Sequence, residues 1–347
     1  MRRTLVGTES LRLLVVGHGL IGRQRAAAAD LLRARLPVEL VATVDPVPRD
    51  PGLYGGAPHV ASIDDVPPDG YDAAIVALPH DLAVPMAGRI LDAGRPVLVE
   101  KPLGVSAKDA HALECAARRI GTPSFVGYNY RFLPHVKELF AVVADGRLGA
   151  LRSIDMLIGH GGHPGSAEGW KLRPERAGGG VLLDPGVHLL DLLLALNGDA
   201  EVTHVDASRG FWGTGIEEDL VATFARGAML ATIRVSHIRW VNTLRIEVVG
   251  DDGYMLLEGR GGTYGPMISR FGLRWAWHSD PDGRSQRESE VVREYGVDNR
   301  SLVDELEAVL RRWLGEPLPQ DGPHPASMEE ARRVTELCQR MYGTLAL

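Results

Sequence analysis

Cysteine is nearly missing from this chain: its 347 residues include only Cys115 and Cys338. Each falls in a helical pattern, read as a buried or neutral helix residue. That excludes a disulfide framework and a cysteine zinc cage, and it fits a reducing compartment. Positive charge is not in excess either. With 38 Lys and Arg against 45 Asp and Glu the formal net charge is -7, so no global positive field exists to hold nucleic acid or an anionic membrane. No uninterrupted apolar run approaches the ~20 residues needed to span a bilayer. Arg2-Arg3 resembles the start of an export signal, but the apolar stretch that follows is a short strand running into a glycine turn. These absences predict a cytoplasmic protein with neither nucleic-acid nor membrane partners.

What is present is core material. Apolar residues make up 45% and charged residues 24% of the chain, and at ~150 residues per domain the length predicts roughly two domains. The boundary is expected near residue 127, giving domains 1–127 and 128–347. In the first, short apolar runs at 11–16, 38–44, 73–78, 96–99 and 124–127 read as buried strands. Helical patterns at 20–35, 82–93 and 107–120 fall between them, the last with Ser106 placed as N-cap. Strand-helix-strand repetition means a parallel sheet covered on both faces. After Gly127 the grammar changes. Helices are expected at 133–144 and 185–196, but strands at 152–158, 201–208, 220–225, 229–237 and 244–249 dominate. Asp251-Asp252-Gly253 has the residue types of a positive-φ hairpin turn leading into 254–257. A mostly antiparallel sheet is therefore expected, closed by helices near 299–314 and 327–341.

Gly17-His18-Gly19-Leu20-Ile21-Gly22 follows directly on the first strand and opens the first helix. A first glycine permits the tight turn, the second lets a pyrophosphate approach, and the third lets helix and strand pack closely. Asp45 ends the next strand, where a carboxylate accepts hydrogen bonds from an adenosine ribose. The first domain thus reads as a doubly wound Rossmann domain. Asp45 followed by Pro46 favours NAD over NADP, because a carboxylate repels the 2'-phosphate; Arg49 is the one nearby cation that argues the other way.

Glu100-Lys101-Pro102 stands at the carboxyl end of a buried strand, the edge where ligands collect. Further on, Gly178-Gly179-Gly180 leads into Asp184-Pro185-Gly186-Val187-His188 and then Asp191. If a helix begins near Pro185, Asp184 can point its carboxylate along the face that carries His188, and it can also cap that helix.

In this order and spacing the chain resembles the Gfo/Idh/MocA oxidoreductases, which include inositol dehydrogenases and glucose-fructose oxidoreductase. The likeness rests on the glycine turn, Asp45, the Glu-Lys-Pro triplet, Tyr128-Asn129-Tyr130-Arg131-Phe132, Gly146-Arg147-Leu148-Gly149 and the Gly178 to Asp191 stretch. It implies an α/β protein with a Rossmann domain followed by an α+β domain with an open, mostly antiparallel sheet, a bound nicotinamide, and a sugar or cyclitol between them. It also implies catalytic roles for Lys101, Asp184 and His188, and dinucleotide contacts from Gly17, Gly19, Leu20, Ile21, Gly22, Asp45, Leu78, Pro79, Glu100 and Lys101. One departure is Leu78-Pro79-His80-Asp81-Leu82-Ala83, where the family commonly has T-P-N-x-x-H.

Oxidising an alcohol requires a base for the hydroxyl proton and a group that stabilises the developing alkoxide. His188, oriented by Asp184, is the candidate base and Lys101 the candidate stabiliser, with the exchanged roles still open. Contact with Asp184 is expected to raise the imidazole pKa and place the rising pH limb near or above neutrality. Tyr130, Arg131, His163, Trp170 and Lys171 are candidates to line the sugar site. His160 and His163 lack an accompanying acid or cysteine cluster, so no metal is expected. Two alternatives share the fold: glycosidic cleavage through transient oxidation by NAD, and a sugar sensor that binds the dinucleotide without turnover. An apolar open sheet face predicts a homo-oligomer, dimer or tetramer.

Overall fold

Strands β1 (Leu11–Val16), β4 (Ala73–Val76) and β5 (Val97–Glu100) are apolar at nearly every position because both of their faces are covered. They appear in a computed structural model that describes residues 10–47, 56–162, 169–274, 290–297, 300–318 and 322–345. With β2 (Val38–Val44), β3 (His59–Val60) and β6 (Phe125–Gly127) they form a parallel sheet in the order β6-β5-β4-β1-β2-β3. Helices α1 (Leu20–Leu32), α2 (His80–Asp92) and α3 (Ala107–Ile120) are the crossovers. Ser106 caps α3 as expected, its hydroxyl accepting the Asp109 N–H at 3.1 Å. Strand order reverses between β1 and β4, so the glycine turn after β1 and the segments after β4 and β5 meet at one edge.

Among the described residues the second sheet has eight strands: β7 (Leu151–Gly159), β8 (Glu201–Ser208), β9 (Asp219–Arg226), β10 (Met229–Ser236), β11 (Thr243–Gly250), β12 (Gly253–Gly259), β13 (Met267–Leu273) and β14 (Val291–Tyr295). Their order is β14-β13-β12-β11-β7-β10-β9-β8, and every neighbouring pair is antiparallel except β7 with β10. Alternation sets the two faces. Ile154, Phe224, Ile233 and Ile246 are buried, while their neighbours in sequence point to the open side. The open face is not broadly apolar, as the sequence suggested. Leu230 is exposed there, but the pairs Arg234 with Asp219, Arg245 with Glu247 and Arg270 with Glu258 cross the same face. The hairpin at Asp251-Asp252-Gly253 forms, for a different reason than expected. Gly253 does not take positive φ; a Cβ there would instead stand 2.7 Å from the Gly272 carbonyl oxygen.

Helices α4 (Pro134–Ala144), α5 (Pro174–Ala177) and α6 (Val187–Asn197) belong to the second half, and α6 is buried nearly all round. The stretch Pro174–Asn197 is long and apolar enough to cross a membrane by composition, but 78% of its most apolar window is buried in the protein. The closing helices α7 (Ser301–Trp313) and α8 (Met328–Thr344) return to the first sheet. Leu306, Val309, Leu310 and Trp313 of α7 pack with Leu13, Val15 and Ala26, and Ala326–Ser327 adds a short antiparallel strand beside β6. Cys338 is buried in α8, whereas Cys115 lies on the exposed side of α3.

Candidate active site

The three turn glycines are needed for different reasons. A Cβ on Gly17, whose φ is 96°, would collide with the Ala77 carbonyl, and a Cβ on Gly22 would collide with the Gly17 carbonyl. Gly19 is the opposite case: a Cβ there meets nothing within 4 Å among the described residues. The protein's own packing therefore explains the outer two, and the middle one fronts open space at a helix N-terminus. Leu20 beside it is 66% exposed, and α1 carries no acid of its own in its first turn. Asp45 is tied to the same turn, its carboxylate accepting the His18 N–H at 2.8 Å and the Val47 N–H at 2.9 Å. Leu78 packs near Gly17, and Pro79 is the N-cap of α2. These residues fit a dinucleotide. Glu100 is placed differently: it accepts from the fully buried Arg25 at 2.7 Å, and Arg25 also donates to Glu305 at 2.5 Å and to the Leu302 carbonyl at 3.1 Å. Arg49 and His163 lie outside the described residues.

Lys101 leaves the end of β5, and Asp184 leaves the glycine-rich run before α6; each precedes a cis proline. Their side chains meet. Lys101 Nζ donates to one Asp184 oxygen, and Lys171 Nζ sits 2.5 Å from the other. Burial raises the Asp184 pKa, but the two ammonium groups overcome it and hold the carboxyl well below its usual range. Burial first, joined by the Lys171 charge, lowers the Lys101 pKa against the pull of Asp184, whereas the Asp184 charge raises that of Lys171.

His188 departs from expectation. Among the described residues it makes no hydrogen bond to Asp184; its ring stacks on Tyr130 at 4.0 Å and 11°, with Tyr128 edge-on at 6.0 Å. The reason is local. Asp184 is extended, with φ -151° and ψ 104°, and α6 starts only at Val187, so the four-residue helical spacing never applies. Nor does Asp184 cap α6; its carboxylate is taken by the lysines. Burial first, then the Lys101 charge, holds the imidazole well below its usual pKa, opposite in sign to the sequence-based expectation.

Other expected residues divide. Lys171 joins the cluster, and Trp170 lies edge-on to His80 at 4.8 Å. Arg131 is turned away: it grips Asp191 at 2.6 and 2.8 Å and also donates to Glu330 at 3.0 Å and to the His324 carbonyl at 3.2 Å. Sequence reasoning missed three residues. His80 holds the Ala177 carbonyl at 2.8 Å, and burial pushes its pKa down to about 4. His237 stands 4.5 Å from His160 and is likewise pushed down to about 4 by burial. Glu217, buried, accepts the N–H groups of Gly180 at 2.9 Å and Leu182 at 3.2 Å and the Tyr342 hydroxyl at 2.6 Å, fixing the turn that presents Asp184. The only hint was an acidic pair, Glu217-Glu218, directly before a strand.

Two family models cover most of this architecture. Residues 11–128 match the oxidoreductase family with an NAD-binding Rossmann fold, and residues 136–256 match the GFO/IDH/MocA C-terminal domain. The chain belongs to the Gfo/Idh/MocA oxidoreductases. It is 28% identical to the putative UDP-kanosamine synthase oxidoreductase subunit of Amycolatopsis mediterranei (strain S699), over 96% of each chain. Its fold is shared with levoglucosan dehydrogenase in complex with NADH and levoglucosan, at TM-score 0.80, 14% identity and 97% of each chain. A 3-ketoreductase from Actinomadura kijaniata in complex with NADP and TDP-benzene gives TM-score 0.76 at 19% identity, covering 96% of this chain and 98% of that one. This Gfo/Idh/MocA protein is thus an NAD(P)-dependent oxidoreductase of a family that acts on sugars and polyols. Glycosidic cleavage and sugar sensing are not favoured.

Proposed function

We propose that the protein oxidises a secondary alcohol of a sugar or cyclitol, or reduces the matching ketone, with NAD preferred over NADP. The observation that carries this reading is the contact of Lys101 and Lys171 with Asp184, near a buried imidazole and at the sheet edge that also bears the glycine turn. Asp45 supports NAD, since its carboxylate would face the 2'-phosphate of NADP with like charge. When bound, the nicotinamide supplies the hydride acceptor or donor; handling of oxygen and proton falls to the chain.

Lys101 Nζ is the group that steadies charge on the substrate oxygen, and Asp184 aims it. Lys171, kept fully cationic by Asp184, holds that carboxylate ionised and leaves one positive charge in excess for substrate oxygens. His188 is neutral at working pH and accepts the hydroxyl proton, its plane set by the Tyr130 stack. Tyr130, stacked on His188, and Trp170, edge-on to His80, are the aromatic candidates to line the sugar site. We further infer a homo-oligomer, dimer or tetramer, and a cytoplasmic setting, where an exposed free thiol at Cys115 persists. The test is NADH absorbance with purified protein and NAD across inositols, aldoses, amino sugars and nucleotide sugars. At least one is expected to be oxidised; no turnover with any of them sinks the reaction, and faster turnover with NADP sinks the cofactor preference alone.

A further inference from the structure

Two loops at one end of the second sheet carry aromatic side chains that the catalytic cluster does not use. Phe211 and Trp212 come from the connection between β8 and β9, and Trp240 comes from that between β10 and β11. They are 58%, 40% and 72% exposed, yet they touch one another: ring centroids lie 5.1 Å apart for Phe211 and Trp212, 5.9 Å for Phe211 and Trp240, and 6.3 Å for Trp212 and Trp240. A single exposed apolar side chain needs no explanation, but three contiguous aromatics on a surface do.

The cluster is held in place. Buried Glu218 accepts the backbone N–H groups of both Phe211 and Trp212, each at 2.7 Å. Trp212 Nε1 donates to the His237 carbonyl at 3.1 Å. Gly161 leaves room for Trp240, since a Cβ there would stand 3.0 Å from the indole and 2.8 Å from the Arg239 carbonyl oxygen. The same contacts lead inward. The His237 imidazole lies against the Asp184 backbone and 4.5 Å from His160, so His237 touches the aromatic cluster with its carbonyl and Asp184 with its ring.

We propose that Phe211, Trp212 and Trp240 form a second subsite that stacks on a ring joined to the sugar being oxidised, as in an aryl glycoside or a nucleoside-diphosphate sugar. The proposal rests on the sugar-oxidoreductase reading and extends it to the shape of the substrate. The rings are inclined to one another by 80°, 59° and 73°, so they make a corner that takes a flat ring by its face and its edge. The adenosine of the cofactor is accounted for at Asp45, on the other sheet.

The test uses the full chain saturated with NADH. Binding of the methyl, phenyl and UDP derivatives of glucose and galactose is measured by calorimetry, and contact with the ring by saturation-transfer NMR on the ligand. The phenyl and UDP forms are expected to bind about ten-fold or more tightly than the methyl form, the scale of one stacked ring. Trp212→Ala and Trp240→Ala should bring that ratio to within about two-fold, and Trp240→Phe should keep most of it. A loss in the UDP form alone assigns the nucleotide; a loss in both assigns any ring. Equal affinity of methyl and phenyl forms in the wild type, or a ratio that neither alanine variant changes, overturns the subsite. Light scattering on the same variants completes the set: a smaller assembly with an unchanged ratio makes the cluster a contact between copies of the chain, against the proposal. If no sugar binds or is oxidised, the oxidoreductase reading falls with it; if methyl glycosides are bound and oxidised, only the subsite falls.

Discussion

Asp184 and Asp191 flank the first turns of α6, and both face cations, yet they are built for different ends. Asp191 takes the planar fork of Arg131, and the side chains are 1% and 6% exposed. Asp184 takes two lysine ammonium groups and stays more open, at 21% beside 15% for Lys101. Burial raises the Asp191 pKa even against Arg131, whereas two lysines drive that of Asp184 well down. Arginine cannot release a proton and fixes direction at both nitrogens, while lysine is a mobile point charge whose proton can leave. The closed pair is a rivet: Arg131 reaches Glu330 as well, so it ties α6 to α8. The open pair is chemistry.

The strongest way to break this contrast is Arg131→Met. It strands a buried carboxylate, and the unfolding free energy should fall by about 3 to 5 kcal/mol in a denaturant titration. A loss below about 1 kcal/mol would mean that Asp191 finds water or a new partner, and the rivet idea goes. Lys101→Met tests the other pair. Turnover should drop by at least ~100-fold with NADH binding nearly intact, because only charge developing on the substrate is left unsupported. Activity within a few-fold of wild type would return Lys101 to an ordinary buried ion pair.

Two smaller effects sharpen the picture. Asp45→Ser removes a like charge from the 2'-phosphate position and a ribose partner at once. Preference should move toward NADP by about 1 to 3 kcal/mol, read as the ratio of the two dissociation constants. The pH profile is the finest test. Burial and Lys101 hold His188 well below its usual 6.5, so the neutral acceptor is already present at pH 7 and above. Alcohol oxidation should therefore be level through neutrality and fall only in acid; an alkaline rise would report Lys101, whose pKa is also below its usual 10.5. A limb centred at or above pH 7 that disappears in His188→Asn would show that Asp184 reaches the imidazole in the working state.

Local patterns carried the parts of the molecule that are local. The turn from Gly17 to Gly22, the strand before it and Asp45 after the next strand were legible because backbone geometry and strand period act over a few residues at a time. Lys101 was legible as a cation at a sheet edge. Which partners it meets was not, since Asp184 lies 83 residues further along the chain, with Lys171 shortly before it, and only packing brings them to Lys101. The spacing argument for Asp184 and His188 failed because it assumed a helix starting at Pro185, two residues before the one that forms. The helix expected near 299–314 was legible, but not that its apolar face would lie on the first sheet. Periodicity says that a face must be buried; the choice of surface belongs to the tertiary fold. So the sequence by itself determined a dinucleotide-binding parallel sheet, an antiparallel second half and the residue types for alcohol chemistry. The tertiary structure alone decided which carboxylate becomes a closed rivet and which stays open to two lysines, because desolvation and charge pairing depend on neighbours that no stretch of sequence contains.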